Sequence, residues 1–395
     1  MLKPENTRTI DNNPQQVMII AGDPSGDIHT SLVVKALKQR LPGCEVFGIG
    51  GDRMVSEGFV SLIPMEKMAV MGFVEVVRHL KFFLDVTGHL IEEIERRKPR
   101  VIVLVDYPGF NIRFAQRIRK RFAVGGYRPR LLYYISPQVW AWKPDRVEIL
   151  AQVIDFMAVV FPFEVTLYQK VGLPVEFVGH PLLDQPSPRD KAELMRMAGL
   201  SAGQTMVALL PGSRVQEVER HLPIFIRAWD MLRANHPGLC ALIAASNHVP
   251  MDIYHRIVAG REHVVVMQGW TREIMAHSRA ACVVSGTATL ETALFGTPSV
   301  IAFKTSPLTY RIAKKVVLVP YIGMVNILAG ERIVEELIQS EVTPERIHSE
   351  LEKLLFQEEY RSDMIGKLKK IRALLGNPGA GIRVAEKILE LANVT

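Results

Sequence analysis

The sequence predicts an α/β protein made of two doubly wound domains. Its 395 residues exceed what one modest hydrophobic core requires. Short apolar runs alternate with helical patterns in both halves, and most of the runs are continuous, which is typical of parallel strands covered on both faces. Prolines accumulate between the halves, from Pro181 to Pro188, and this composition predicts the linker.

The first half contains six apolar runs that we interpret as strands: Val17 to Ala21, Glu45 to Ile49, Val101 to Val105, Leu131 to Ile135, Phe156 to Val160 and Val175 to Val178. Between the first two, apolar residues at helical spacing predict a helix that Pro42 and Gly43 end. The polar residues before the first run lack the apolar core of a signal peptide. We therefore expect a flexible leader at 1–16 and a first domain at 17–183.

The second half has the same layout without an internal sequence repeat. Its predicted strands are Met206 to Leu210, Leu239 to Ala245, His263 to Met267, Ala281 to Val284 and Ser299 to Phe303. We expect a second domain at 184–355 and terminal helices at 356–395, broken near Gly376. Ligands of open parallel sheets bind beyond the carboxyl ends of the strands, so we expect the loops after the strands of two facing domains to line one cleft.

Composition and charge narrow the function classes. The chain is 48% hydrophobic and 23% charged, and it has no run of 18 apolar residues, so we expect no membrane-spanning helix. Its three cysteines, Cys44, Cys240 and Cys282, lie in apolar segments and have no zinc spacing, which predicts reduced core residues.

The net charge of +7 is concentrated in one window. Residues 75–130 contain thirteen Lys or Arg against six Asp or Glu, which is an excess of seven. Arg113, Arg117 and Arg121 share one helical face there, opposite an apolar face. The pattern fits either a solvated surface helix or attraction to anionic lipid headgroups or an anionic substrate. No nucleic-acid motif is present.

Three loops of the first half could carry chemistry. Ala21 to Asp27 reads AGDPSGD, in which Ser25 or Asp27 could cap the following helix. Asp106 ends a strand, where a carboxylate can either cap a turn or accept a proton from a hydroxyl. Trp140 and Trp142 form either a packed aromatic corner or a wall for a sugar or acyl chains.

Three loops of the second half fit the parts of a nucleotide. Gly212, Ser213 and Arg214 follow a strand and suit a phosphate. The Arg214 guanidinium can donate a forked pair of hydrogen bonds to it, and the amides of the glycine and serine can donate more. Gln268 and Gly269 follow another strand and suit a base edge. The third loop begins a helix whose amides suit a diphosphate, and its carboxylate suits the ribose: Ser285, Gly286, Thr287, Ala288, Thr289 and Glu291. Taken alone, the third loop also fits an ordinary strand–helix connection whose hydroxyls only cap the helix.

No cluster of His, Cys, Asp or Glu has metal-ligand spacing in the sequence. The combination of loops therefore favours a sugar transfer without a metal, in which cations and helix amides stabilise the leaving diphosphate.

At these residues the sequence resembles the lipid-A-disaccharide synthase family over nearly the whole chain from about Val17. The resemblance rests on the order and spacing of AGDPSGD, GIGGDRM, MGFVEV, SPQVWAW, FPFE, FVGHPLLD, LLPGSR, SGTATLE and NILAGERIVEELIQ. It implies the GT-B fold, two Rossmann-like domains with a central cleft, and a terminal helix that returns to the first domain. The implied reaction transfers diacylglucosamine from UDP to the 6-hydroxyl of diacylglucosamine 1-phosphate, with inversion and release of UDP.

The resemblance also assigns roles. The first domain would hold the acceptor and its acyl chains, and the second would hold UDP. The residues assigned to the acceptor and its lipid are Ser25, Gly26, Met71, Phe73, Asn111, Trp140, Trp142 and Asn326. Gly109 stands where many members of the family have an aspartate that is a favoured base, and Asp23 stands where they usually have glutamate. We therefore assign the base to Asp106, with Asp27 in reserve and Arg214 on the leaving group.

Further expectations concern partners and place. The donor, UDP-2,3-diacylglucosamine, is a substrate, and no metal or other cofactor is expected. We expect a cytoplasmic protein, peripheral on the inner membrane, that contacts its anionic surface through Met68 to Val86 and the Arg113 helix. A homodimer is left open. The alternatives are an isomerase like UDP-N-acetylglucosamine 2-epimerase and a module that binds nucleotide sugars without turnover.

Overall fold

The computed structural model describes residues 16–68, 80–201 and 203–393. They form two compact units, one that extends to Gln185 and resumes at Asn377, and one that covers Pro186–Gly376. The division falls inside the proline-rich stretch. Each unit is built on one parallel sheet with helices on both faces, as the continuous apolar runs predict.

The first unit has a sheet of seven strands in the order β3-β2-β1-β4-β5-β6-β7. The strands are β1 Gln16–Ala21, β2 Glu45–Gly50, β3 Val60–Pro64, β4 Val101–Val105, β5 Arg130–Tyr134, β6 Phe156–Val159 and β7 Val175–Phe177. Its helices are Pro24–Arg40, Asp52–Ser56, Leu80–Arg97, Pro108–Arg121, Val139–Trp142, Arg146–Val153, Phe163–Gln169 and, from the end of the chain, Ala380–Asn393.

The second unit has a sheet of six strands in the order β10-β9-β8-β11-β12-β13. The strands are β8 Thr205–Leu210, β9 Leu239–Ala245, β10 Val264–Gln268, β11 Ala280–Val284, β12 Ser299–Phe303 and β13 Glu335–Ile338. Its helices are Lys191–Met197, Val215–Asn235, Met251–Val258, Thr271–His277, Thr287–Leu294, Pro307–Val316, Met324–Ala329, Pro344–Phe356 and Glu358–Leu374.

Both sheets reverse their strand order at one point. In the first, β1 pairs with β4 as well as with β2, and in the second, β8 pairs with β11 as well as with β9. Neighbouring crossovers leave in opposite directions there, which opens a crevice at the carboxyl ends of the two central strands. The loops after β1, β4, β8 and β11 are therefore the positions where this topology places ligands.

All eleven predicted strands are present, with their ends within one residue of the prediction. The prediction missed two edge strands: β3, at one edge of the first sheet, and β13, at one edge of the second. Among the terminal helices, Glu358–Leu374 stays with the second unit, and only Ala380–Asn393 belongs to the first. That last helix packs on Pro24–Arg40, where Arg40 pairs with Glu386 at 2.5 Å.

The buried cores agree with the composition. Cys44, Cys240 and Cys282 are free and buried, as predicted. The helix Pro108–Arg121 buries Phe114, Ala115 and Ile118 and exposes its arginine face, which confirms the predicted amphipathic basic helix. No helix within the described ranges is both long enough and apolar enough to cross a membrane.

Candidate functional site

The loop after β8 is organised by a glutamate of the helix that follows it. Glu217 accepts a hydrogen bond from the Ser213 amide at 2.9 Å and pairs with Arg214 Nη1 at 3.1 Å. Gly212 has a φ of 111°, and a Cβ there would stand 2.6 Å from the Cβ of Glu217, so only glycine fits. Arg214 is more than half exposed, and its remaining N–H groups can form a forked pair with a phosphate.

The loop after β10 places Gln268 at the surface next to the loop after β9. Gln268 Nε2 donates to the Ser246 carbonyl at 3.3 Å, and Ser246 Oγ donates to the Ser213 carbonyl at 3.2 Å. Two further contacts fix the turn: Arg189 donates to the Gly269 carbonyl at 2.8 Å, and its guanidinium lies 3.4 Å from the centre of the Trp270 ring. The loops after β8, β9 and β10 are thus linked by hydrogen bonds.

The loop after β11 presents the start of the helix Thr287–Leu294 to solvent. Its cap residue is Gly286, which has no side chain to cap the first amides, and Gly286 and Thr287 are exposed while Ala288 is half-buried. Uncapped amides at a helix start carry partial positive charge and bind anions. Ser285 Oγ donates to the Ile322 carbonyl at 3.4 Å. Thr289 is buried, and its hydroxyl donates to the Gly286 carbonyl at 2.8 Å, so it holds the turn instead of facing a ligand.

Glu291 lies within this helix and is paired with a cation. Arg272 Nε donates to Glu291 Oε1 at 3.0 Å, which connects the helix Thr271–His277 to the helix Thr287–Leu294. Burial raises the pKa of Glu291, while Arg272 lowers it. The three predicted nucleotide loops are therefore joined into one network, and its cations and free amides can hold an anion.

In the first unit, Asp106 ends β4 in a strained backbone. Asp106 has a φ of 40° and Tyr107 a φ of 47°, and Ile135 at the end of the neighbouring β5 has a φ of 61°. A non-glycine residue in this region costs about 1–3 kcal/mol, and such strain clusters at functional sites. Asn111 Nδ2 donates to the Asp106 carbonyl at 2.8 Å, and the Tyr133 hydroxyl donates to the same oxygen. The surroundings thus hold Asp106 in its unusual conformation.

The carboxyl group of Asp106 is poised to take a proton near neutral pH. Burial and, to a smaller extent, the nearby Asp23 carboxylate raise its pKa to about 7, against a hydrogen bond from the Tyr107 amide that lowers it. Asp23 comes from the loop after β1, which touches the loop after β4: a Cβ on Gly22 would lie 2.8 Å from the Tyr107 ring. The two loops at the reversal of the first sheet therefore pack together and bring two carboxylates close.

Asp27 has a different place. Its carboxylate accepts hydrogen bonds from the amides of Gly51, Arg53 and Met54 at 2.9 to 3.1 Å, so it caps the helix Asp52–Ser56. The expectation that Ser25 or Asp27 caps the helix Pro24–Arg40 is wrong, because Asp23 does so by accepting from the Gly26 amide at 3.3 Å. Both Asp27 oxygens are engaged, and a role as reserve base stays a prediction.

Two asparagines assigned to the acceptor are structural in this fold. Asn111 is fully buried, and Nδ2 donates to the Val105 and Asp106 carbonyls, so it positions Asp106 instead of meeting a lipid. Asn326 is fully buried in the second unit. Its amide donates to the Val334 carbonyl and to Glu336, and its oxygen accepts from the Ile333 and Val334 amides, which uses every hydrogen-bonding position.

The tryptophan pair divides into one fixed and one exposed ring. Trp140 Nε1 donates to Glu164 Oε1 at 3.1 Å, and burial raises the pKa of Glu164 to about 8. Trp142 is 38% exposed, with Lys143 and Arg146 over its ring. Ser25 is also exposed, whereas Gly26 is buried. Met71 and Phe73 lie outside the described residues.

The sequence analysis gave no role in the site to several residues that shape it: Asp23, Arg189, Glu217, Ser246, Trp270 and Arg272. Glu217 had a local signal, since an acidic residue three positions after a helix cap is a capping pattern. Arg189 and Arg272 act across 80 and 19 residues of sequence, so no local pattern announces them. No group of side chains that could hold a metal ion occurs within 16–68, 80–201 and 203–393.

Comparison with known proteins places these loops in context. A family model described as lipid-A-disaccharide synthetase matches residues 17–378. The lipid-A-disaccharide synthase of Geobacter metallireducens is 41% identical over 379 residues, which covers 95% of this chain and 97% of the relative. That of Geobacter sulfurreducens is 39% identical over 383 residues, with 96% and 98% covered.

Solved structures with a similar fold have much lower sequence identity. A UDP-N-acetylglucosamine 2-epimerase from Neisseria meningitidis, bound to UDP-N-acetylglucosamine, has a TM-score of 0.65 and 11% identity over 95% of this chain and 100% of its own. The calicheamicin glycosyltransferase CalG4 has a TM-score of 0.63 and 13% identity over 97% and 99%. At these identities the likeness bears on the fold alone, which is the predicted GT-B type.

Proposed function

Because the chain belongs to the lipid-A-disaccharide synthase family, we propose that the two sets of loops described above divide its glycosyl transfer between them. The enzyme joins diacylglucosamine from its UDP donor to the 6-hydroxyl of diacylglucosamine 1-phosphate, with inversion and release of UDP. The second unit holds UDP, and the first unit supplies the base and the acceptor contacts.

The donor role rests on the linked loops of the second unit. Arg214 binds phosphate oxygens through the N–H groups that Glu217 leaves free, and the exposed start of the helix Thr287–Leu294 binds the diphosphate. Gln268 and Gly269 lie where backbone and amide groups can meet the base, and Glu291 accepts from ribose hydroxyls. The single observation that carries this role is the network that joins the three loops: Gln268 to Ser246, Ser246 to Ser213, and Arg272 to Glu291.

The base role rests on Asp106. As its carboxylate takes the proton of the acceptor 6-hydroxyl, that oxygen forms a bond to the anomeric carbon on the face opposite UDP. The bond between the anomeric carbon and the diphosphate oxygen breaks, and its electron pair leaves with UDP. Arg214 and the helix amides stabilise the charge that develops on that oxygen, which lowers the barrier. A carboxylate with a pKa of about 7 is suited to this exchange at neutral pH.

Two further parts of the proposal concern binding partners, a membrane surface and a second copy of the chain. We place an anionic membrane surface against the basic face of the helix Pro108–Arg121, where Arg113 and Arg117 are exposed. Of the other predicted contact, Met68 to Val86, residues 69–79 lie outside the described residues. Met68 and Val86 are buried in the core of the first unit, and Leu84 is exposed. The homodimer stays a prediction, which sedimentation of the purified protein tests.

The function is tested by incubating the protein with the UDP donor, with and without the acceptor, and analysing the products by mass spectrometry. We expect the disaccharide 1-phosphate, and UDP release only when the acceptor is present. Release of UDP or formation of an altered UDP-sugar without acceptor would instead favour an epimerase-like isomerase. Binding of UDP with no product in either mixture would favour a module without turnover.

A further inference from the structure

One helix of the second unit leaves its apolar side chains in solvent. No residue of Pro307–Val316 is buried, and Leu308, Ile312 and Val316 are 70%, 56% and 44% exposed. The chain continues with Val317 and Leu318, which are 41% and 64% exposed. Five of the seventeen exposed large apolar side chains in the described part of the chain thus fall within eleven consecutive residues.

The exposed side chains form one stripe. Leu308, Ile312 and Val316 are four residues apart, so they lie above one another on one face of the helix. A surface helix with such a stripe normally packs it against the core. This helix has a sequence-encoded start, since Pro307 is its first residue and Ser306 Oγ accepts from the Thr309 amide at 3.1 Å. The start of this helix is therefore encoded by its own sequence. Its apolar face has no partner within the described part of the unit.

Basic side chains flank the stripe. Arg311, Lys314 and Lys315 are all exposed. Between Glu291 and Glu331 the sequence has no Asp or Glu, and its four charged residues are Lys304, Arg311, Lys314 and Lys315. A further cation lies close to this run of sequence, since Arg220 donates to the Lys304 carbonyl at 3.2 Å. The patch is therefore both apolar and uniformly positive.

We propose that the segment 307–318, called the docking helix below, lies on an anionic lipid bilayer. Its apolar side chains enter the acyl boundary, while Arg311, Lys314 and Lys315 extend their stems along it and keep their charges among the headgroups. A bilayer satisfies both features at once, and charge complementarity selects an anionic one. The inference rests on the proposed function, because an enzyme with lipid substrates works at that surface. It adds a contact in the second unit, separate from the Arg113 helix of the first.

The test is sedimentation of the full chain with vesicles of phosphatidylglycerol and phosphatidylcholine, compared with vesicles of phosphatidylcholine alone. One variant combines Leu308→Ser with Ile312→Ser, and a second combines Lys314→Gln with Lys315→Gln. The control combines Met197→Ser with Leu374→Ser, which removes two similarly exposed apolar side chains elsewhere in the second unit. None of these residues is buried, so we expect every variant to fold. The thermal unfolding midpoint of each variant checks this.

We expect wild type and control to bind the anionic vesicles equally. The apolar variant should bind the anionic vesicles at least about tenfold more weakly than wild type. The charge variant should bind them about fivefold more weakly for each lysine removed, with little change on neutral vesicles. Binding of both variants equal to wild type overturns the docking helix. If the variants instead convert a dimer to a monomer and leave vesicle binding unchanged, the occupant is a second copy, which also overturns it.

These outcomes are separable from the proposed function. Product formation from substrates with short, water-soluble acyl chains reports the transfer reaction without a membrane, and all three variants should retain it. Failure of wild type to bind anionic vesicles would overturn the docking helix together with the membrane surface on the first unit. Failure of wild type to form product would overturn the transferase and leave the vesicle result standing.

Discussion

The two sheets share a topology but carry opposite chemistry at their reversal points. In the first unit the loops after β1 and β4 bring Asp23 and Asp106 together, and burial raises the pKa of both carboxyl groups. In the second unit the loops after β8 and β11 present Arg214 and the exposed start of the helix Thr287–Leu294. In the proposed function, the first of these edges accepts a proton and the second holds an anion. The same topology thus leaves the chemistry to a few loop residues.

The largest effect should come from removing the proton acceptor. Asp106→Asn keeps the shape of the side chain but has no basic oxygen, so we expect kcat to fall by about 10²- to 10⁴-fold. Steady-state assays of UDP release measure this. Asp85→Asn, an exposed carboxylate in the same unit, is the matched control and should leave kcat unchanged. Near-normal turnover of Asp106→Asn would remove Asp106 from the base role.

The next effect concerns the anion-holding edge. Arg214→Ala removes a charged donor, and we expect the KM for the UDP donor to rise roughly ten- to hundredfold, because charge-assisted hydrogen bonds contribute more than neutral ones. The exposed Arg256, which pairs with Glu219, provides the control Arg256→Ala. Equal KM values for the two variants would show that Arg214 does not contact the donor.

A smaller effect should follow from changes at the helix start. Thr287→Val combined with Glu291→Gln removes a hydroxyl and a charge, and we expect UDP to bind about tenfold more weakly. Fluorescence or calorimetric titration with UDP measures it, with Glu331→Gln, an exposed glutamate of the same unit, as the control. Unchanged affinity would return this loop to the role of an ordinary helix start.

The smallest effect is a shift in pH dependence. Asp106 must be ionised to accept a proton, so kcat/KM should fall about tenfold per pH unit below a pKa of about 7. The Asp23 carboxylate raises the pKa of Asp106, and Asp23→Asn should therefore move this limb to lower pH. A pH–rate profile of both proteins measures the shift. A limb that stays in place, or moves upward, would contradict the coupling between these two carboxyl groups.

The sequence predicted the buried strands of both sheets but not the two edge strands β3 and β13. The central strands are continuous apolar runs, whereas β3 is mostly exposed and β13 contains Glu335 and Glu336. Glu336 is nonetheless buried, because the Ile322 and Gly323 amides and Asn326 hydrogen-bond its carboxylate. Such compensation comes from residues that are distant in sequence, and a hydrophobic pattern cannot show it.

The candidate site was predictable to the level of loops but not of individual atoms. Glycines, hydroxyls and charges after strands mark loops that the structure places at the carboxyl ends of parallel strands. The division of roles between Asp23 and Asp27 depends on backbone angles, and the engagement of Asn111 and Asn326 depends on carbonyls and amides that every residue has. The sequence therefore predicts which loops carry chemistry, and the structure shows which of their side chains already have hydrogen-bond partners.

The most direct test of this division of labour is calorimetric titration of UDP into three proteins: wild type, Asp106→Asn and Arg214→Ala. We expect Asp106→Asn to bind UDP with the affinity of wild type although its turnover is lost, and Arg214→Ala to bind roughly ten- to hundredfold more weakly. Loss of UDP affinity in Asp106→Asn, or unchanged affinity in Arg214→Ala, would contradict the assignment of proton transfer to the first unit and anion binding to the second.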